Sequence, residues 1–210
     1  MLRILIADDH AIVRHGVKNL IAEEFEKVTI GEAATGRGVL DAIQKQTWDV
    51  LILDLNLPDK NGLDVLKEAK AARPTLPVIV FSTCLEEQYA LRALKAGCAG
   101  YLNKGNAMEE LVGAIKKVVQ GGTYISPSFA EHLAGAVSSR GTVLPHQRLS
   151  DREHQVLCLF ARGKTTTEIA DTLSLSVTTI STHRARLLEK LKLKTTADLI
   201  RYALDHKLVE

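Results

Sequence analysis

Five short apolar runs, at 2–7, 28–33, 50–53, 77–81 and 100–102, alternate with amphipathic stretches near 11–23, 36–46, 62–72, 86–96 and 107–119. Strand-length runs separated by segments of helical period indicate βαβ units and a parallel sheet. Turn residues sit at the joints: Pro58, Gly62, Pro74, Pro77, Gly97 and Gly100. The expected fold class over 1–120 is therefore α/β, a doubly wound five-stranded parallel sheet.

The 210 residues suit two domains better than one, and 46% hydrophobic content is enough for real cores. No apolar run approaches the roughly 18 residues of a membrane span, and no signal peptide precedes the first strand. A cytoplasmic protein with no membrane partner is expected. Cys84, Cys98 and Cys158 are odd in number and lack CxxC spacing, so buried thiols are expected rather than a disulfide or zinc site.

After Gly121-Gly122 the character changes. Residues 121–148 are Gly-, Ser- and Pro-bearing and read as a linker with a short helix near 127–137. From 149 to 210 the pattern is helical, with helices expected near 151–162, 166–173, 177–191 and 196–207. Ser150-Asp151-Arg152-Glu153 and Thr165-Thr166-Thr167-Glu168 both fit the capping box, Ser176 suits an N-cap, and Gly163 suits a C-cap. Charge is uneven: residues 1–120 hold 15 Lys/Arg against 16 Asp/Glu, residues 145–210 hold 11 against 8. That modest excess of +3 hints at nucleic acid without requiring it.

Asp8 and Asp9 close the first apolar run, Asp54 the third, and Lys104 follows the fifth. In an open parallel sheet, function collects at the carboxyl ends of the strands. Singly, Asp8 or Asp9 reads as a helix cap, Asp54 as a turn former ahead of Pro58, and Lys104 as a solvated lysine. Jointly, three carboxylates at one crevice repel unless a hard cation neutralises them, and such oxygen ligands suit Mg²⁺. The set points to phosphoryl transfer onto Asp54, with Ser82 adding a hydroxyl from a fourth strand.

In the helical part, residues 165–174, a short turn, and 177–191 have helix-turn-helix spacing, with the second helix placed for the major groove of double-stranded DNA. On a helical wheel Ile180, Leu187 and Leu191 form an apolar stripe. Thr178, Thr182, Ala185 and Glu189 lie opposite, flanked by Ser181 and Arg186. Hydroxyls, a methyl and an arginine suit base edges and phosphates; the bland reading is a solvated helix face. Lys164 and Thr165, at the start of the first helix of the pair, add candidate phosphate contacts.

Residues 1–120 resemble a response-regulator receiver domain, flavodoxin-like in fold. The resemblance is carried by Asp8-Asp9, by Asp54-Leu55-Asn56-Leu57-Pro58 with Gly62 following, by Ser82, and by Tyr101-Leu102-Asn103-Lys104. It implies Asp54 as phospho-acceptor, Asp9 as principal acidic Mg²⁺ ligand with Asp8 supporting it, and Asn56 contributing its main-chain carbonyl. It further implies Ser82 and Tyr101 as switch residues and Lys104 as the phosphoryl-binding lysine. On phosphorylation Ser82 is expected to be drawn in as a donor and Tyr101 to rotate inward.

Residues 149–209 resemble a LuxR/FixJ-type helix-turn-helix domain. The match runs through Leu149-Ser150-Asp151-Arg152-Glu153, Val156-Leu157, Ala161-Arg162-Gly163, Thr167-Glu168-Ile169-Ala170, Thr179-Ile180-Ser181-Thr182-His183 and Leu188-Glu189-Lys190-Leu191. Together the two halves resemble the NarL/FixJ response-regulator family. That implies a cognate sensor histidine kinase, a homodimer and control of transcription. The helix around 197–208 is the implied dimer surface. Ser181 stands where the family often carries lysine, and Arg184 replaces a commonly apolar residue. An enzyme alternative is a Mg²⁺-dependent phosphohydrolase acting through an aspartyl phosphate. Against it, Asn56 stands where such enzymes commonly place a second carboxylate. A third alternative is a receiver that acts by protein contact alone.

Overall fold

The structure is a computed structural model. It describes residues 1–84, 86–105, 108–127, 129–130, 144–173, 175–206 and 208–209, without the side chains of 87, 88, 108 and 109. The chain divides into two compact units, Met1–Val137 and Ser138–Glu210.

The first unit runs β1 (Leu2–Ala7), α1 (Ala11–Glu24), β2 (Val28–Ala33), α2 (Gly36–Lys45), β3 (Val50–Leu53), α3 (Gly62–Ala72), β4 (Val78–Ser82), α4 (Glu86–Lys95), β5 (Gly100–Asn103) and α5 (Met108–Val119). The strands form one five-stranded sheet in the order β2-β1-β3-β4-β5, and all its pairs are parallel. Successive side chains leave a strand on opposite faces. Leu5, Ala7, Leu51, Leu53, Val78 and Val80 pack against α2, α3 and α4 through Val39, Ile43, Leu66, Ala69, Ala90 and Ala93. Ile4, Ile6, Val50, Ile52, Ile79 and Phe81 pack on the other face against Val17 and Ile21 of α1 and Leu111, Ile115 and Val118 of α5. Burial on both faces is why these strands read as continuous apolar runs rather than alternating ones. The chain order reverses direction between β1 and β3, which puts the switch point beside Asp8 and Asp54.

The second unit has a 3₁₀ turn (Pro145–Arg148), then α6 (Asp151–Ala161), α7 (Thr166–Thr172), α8 (Val177–Leu191) and α9 (Thr196–Asp205). The Ser150–Glu153 and Thr165–Glu168 capping boxes form, Ser176 caps α8, and a further box joins Thr195 to Asp198. Gly163, with φ +79, closes α6 in the left-handed conformation that favours glycine. Leu157, Ile169, Ile180, Leu187 and Leu199 fill its core. All three cysteines are buried. Of the short helix expected near 127–137, residues 127, 129 and 130 are helical and the rest lies outside the described residues.

Candidate functional site

Asp8 and Asp54 meet because β1 and β3 are neighbours in register, with Ala7 opposite Leu53. The Asp54 amide donates to the Ala7 carbonyl at 2.8 Å, extending that pairing by one residue. Ligand atoms of Asp8, Asp9, His10 and Asp54 all lie within 4.8 Å of one another. Asp8 and Asp54 are buried, while Asp9 and His10 are exposed.

Each buried carboxylate divides its two oxygens. Asp8 Oδ1 accepts from the His10 amide at 2.9 Å, and Asp54 Oδ1 from the Asn56 amide at 3.1 Å. Both are side-chain turns of the kind Asp makes two residues on. The Oδ2 atoms face Lys104 instead, whose Nζ lies 2.5 Å from Asp8 and 2.6 Å from Asp54. Burial works against the ammonium, but Asp54 and Asp8 outweigh it and hold the Lys104 pKa above the ordinary 10.5. The amine therefore stays a fixed point charge.

Ser82 Oγ donates to Asp54 Oδ1 at 2.7 Å. This corrects the expectation that Ser82 is drawn in as a donor on phosphorylation: the hydroxyl already serves the carboxylate itself. Tyr101 is 2% exposed and already turned inward, its hydroxyl donating to the Cys84 carbonyl at 2.8 Å. Burial, with Cys84 beside it, raises the phenol pKa well above 10.0, so the hydroxyl remains a donor. Asn103 Nδ2 donates to the same carbonyl at 3.2 Å.

The loop carrying Asp54 is pinned at its far end. Gly62 donates to the Leu55 carbonyl at 3.0 Å, and a Cβ there would lie 2.3 Å from Leu55 Cα and 2.6 Å from the Asp54 carbonyl. Only glycine fits, so Gly62 holds the backbone of the candidate acceptor. Sequence reasoning missed His10, whose Nδ1 lies 2.6 Å from Asp9 Oδ1. Its adjacency to Asp8-Asp9 was the available signal. It also missed Arg14, whose Nη1 donates to the Asp8 carbonyl at 2.8 Å. Nothing short of the fold marks that arginine.

On α8, Thr178, Thr182, Ala185, Arg186 and Arg184 are exposed, Ser181 is half-buried, and Ile180, Leu187 and Leu191 are buried. Thr182 Oγ1 donates to the Thr178 carbonyl at 3.0 Å, which commits its proton and leaves the oxygen as an acceptor. The Thr165 hydroxyl is spent in its capping box, donating to Glu168 Oε2 at 2.8 Å. Lys164 is exposed one residue before that cap, with Nζ 3.9 Å from Glu168 Oε1. Among the described residues, no helix is long and apolar enough to cross a membrane.

Comparison with known proteins fits this geometry. Residues 4–116 match the response regulator receiver domain, and residues 147–203 match the luxR family of bacterial regulatory proteins. The response regulator GacA of Pseudomonas aeruginosa is 33% identical over 211 residues, covering 100% of this chain and 99% of its own. UvrY of Escherichia coli, also a response regulator, is 29% identical over 99% of this chain and 96% of its own. Among solved structures, Salmonella RcsB bound to promoter P1flhDC with the phosphomimetic BeF₃⁻ superposes with TM-score 0.69 at 30% identity. It covers 96% of this chain and 97% of that one. A receiver match over more than half the chain, a luxR-family match after it and full-length relatives place the chain in one family. It belongs to the NarL/FixJ (LuxR-type) two-component response regulators, with a receiver domain followed by a helix-turn-helix DNA-binding domain.

Proposed function

We propose that Asp54 accepts a phosphoryl group from a cognate sensor histidine kinase or a small phosphodonor, and that this modification controls dimerisation and binding to double-stranded DNA. The observation that carries the reading is the division of oxygens at Asp54. Oδ1 is held by Ser82 and Asn56 and Oδ2 by Lys104, so the carboxylate is aimed and its surroundings already hold donors for a phosphoryl group. Lys104 neutralises charge that develops in transfer, and Ser82 supplies a hydroxyl donor beside it.

The convergent oxygens of Asp8, Asp9 and Asp54 fit Mg²⁺ as the metal, and the resemblance to receiver domains adds the Asn56 main-chain carbonyl as a further ligand. Asp8, Asp9 and Asp54 would hold the ion, and it would supply positive charge that offsets the repulsion between the carboxylates and an incoming phosphoryl group. Asn56 offers neither acid nor base two residues after Asp54, which favours a lasting signal over enzymatic turnover. The exposed face of α8 supports base contact by Thr182, Ala185, Thr178 and Ser181, and phosphate contact by Arg186 and Lys164. Thr165, with its hydroxyl in the cap, contributes through its position at the helix start. Leu204 on α9, 52% exposed, supports α9 as a homodimer surface. A regulator of this kind works where bacterial DNA is, in the cytoplasm.

The test is labelling with acetyl phosphate and Mg²⁺, read by intact mass. One hydroxylamine-labile phosphoryl group is expected on the wild type and none on Asp54→Asn. Full labelling of Asp54→Asn would sink the assignment.

A further inference from the structure

Tyr124, Ser126 and Phe129, in a stretch that reads as the start of a linker, are fastened to the sheet edge and to α4. Tyr124 bridges Gly100 in parallel at the free side of β5, its amide donating to the Ala99 carbonyl at 2.7 Å. The Tyr124 hydroxyl donates to Glu110 Oε2 of α5 at 2.7 Å. Ser126 Oγ donates to Glu86 Oε1, at the first residue of α4, at 2.6 Å, and accepts from the Phe129 amide at 3.1 Å. Phe129, 3% exposed, joins the apolar cluster that contains Tyr101, Cys84, Ala90 and Ala93. Gly100 permits the close approach: a Cβ there would lie 3.1 Å from Tyr124 Cβ.

The elements that hold this segment are those next to the phosphoryl-acceptor candidate. Ser82 Oγ bonds Asp54 and also accepts from the Cys84 amide at 3.4 Å. The Cys84 carbonyl in turn takes the Tyr101 hydroxyl. A displacement of Ser82 therefore reaches Cys84 and Tyr101, and these two line the same cluster as Phe129. Packed clusters shift between discrete arrangements rather than deforming smoothly, so Phe129 is either seated or not.

We propose that residues 124–127 and 129–130 act as an output strap. Seating of Phe129 and Ser126 against α4 and β5 reports the packing of Tyr101 and Cys84, and the strap passes that state to the chain leading to the DNA-binding domain. The coupling to Tyr101 stands by itself; its control by phosphorylation rests on the assignment of Asp54 above.

Two measurements on the full-length protein separate these parts. The first is amide hydrogen exchange in Tyr101→Phe, which removes only the hydroxyl. Exchange at Tyr124, Phe129 and Ala130 should rise by about fivefold, the effect of one lost hydrogen bond, with β1 and β3 amides unchanged. Unchanged exchange at the strap in a folded Tyr101→Phe protein overturns the proposal. The second compares wild type with Ser126→Ala and Phe129→Leu. Both variants should be labelled at Asp54 to the wild-type extent, yet keep less than half of the phosphorylation-dependent gain in DNA affinity. Retention of the whole gain in both variants overturns the strap as the output route. Absence of any label on Asp54 in the wild type would refute the acceptor assignment instead, and the exchange measurement would still decide the coupling to Tyr101.

Discussion

Lys104 Nζ stands 2.6 Å from Asp54 Oδ2, although the two residues lie 50 positions apart in the chain. The same nitrogen lies 2.5 Å from Asp8 Oδ2, so one ammonium holds two buried carboxylates side by side. Breaking a buried charge pair by removing one partner typically costs about 3–5 kcal/mol. Lys104→Ala should accordingly lower the melting temperature in chelator. Mg²⁺, or a second change Asp54→Asn, should restore much of the loss. Thermal unfolding of the single and double variants with and without Mg²⁺ checks this; equal stability of Lys104→Ala and wild type in chelator would refute it.

Ser82 differs from a residue that acts only after phosphorylation, because its hydroxyl already bonds Asp54 Oδ1 at 2.7 Å. Ser82→Ala should still be labelled, while phosphorylation-dependent dimerisation falls. It should also unfold slightly more easily than wild type without any label, by about 1 kcal/mol for one buried hydrogen bond. Ser82→Thr should keep both properties. Sedimentation and denaturant unfolding, each on labelled and unlabelled protein, distinguish the outcomes.

Glu153 is buried in α6, where its Oε2 accepts from Lys190 at 2.7 Å and from the Ser150 amide at 2.8 Å. Burial pushes its pKa up, but Lys190 and Ser150 outweigh burial and hold it below the ordinary 4.5. The unfolded chain thus takes up this proton at higher pH than the folded one. The stabilisation is complete above pH 4.5 and is lost as pH falls through the lowered folded value. Melting of the C-terminal helices should drop on acidification through that window. Glu153→Gln, which retains an acceptor for the cap, should be less stable at neutral pH and show a flatter acid limb. Hydrogen exchange of α6 and α8 amides across pH reads both.

Lys192 is the non-glycine residue with positive φ among those described, at 57°, and it ends α8. The left-handed conformation penalises any residue with a Cβ, so Lys192→Gly should stabilise the C-terminal unit by about 1 kcal/mol. A fall in melting temperature would instead mean that the Lys192 side chain makes a compensating contact.

On the DNA face, Arg186→Ala and Lys164→Ala should weaken binding evenly across sequences and lower the salt slope by about one unit each. Thr182→Ala should change the preferred half-site, with roughly 1–3 kcal/mol of discrimination at stake per good base contact. A library of half-site variants, titrated at two salt concentrations, separates the two classes. An unchanged preference in Thr182→Ala would show that α8 meets the groove by another face.

Periodicity alone was enough to lay out β1 to β5 and the intervening helices, because strands buried on both faces must be continuously apolar and amphipathic helices must cover them. Capping pairs such as Ser150–Glu153 and Thr165–Glu168 were equally legible, since both partners lie within one helical turn. The candidate site was legible as a set of residue types at strand ends. The division of labour within it was not. One oxygen of Asp8 and of Asp54 makes the ordinary turn while the other faces Lys104, and only the parallel register decides that. The inward seat of Tyr101 on Cys84 and the docking of Phe129 and Tyr124 also depend on contacts between segments distant in sequence. A composition of Gly, Ser and Pro reads as a linker, and tertiary packing turns its first residues into part of the domain.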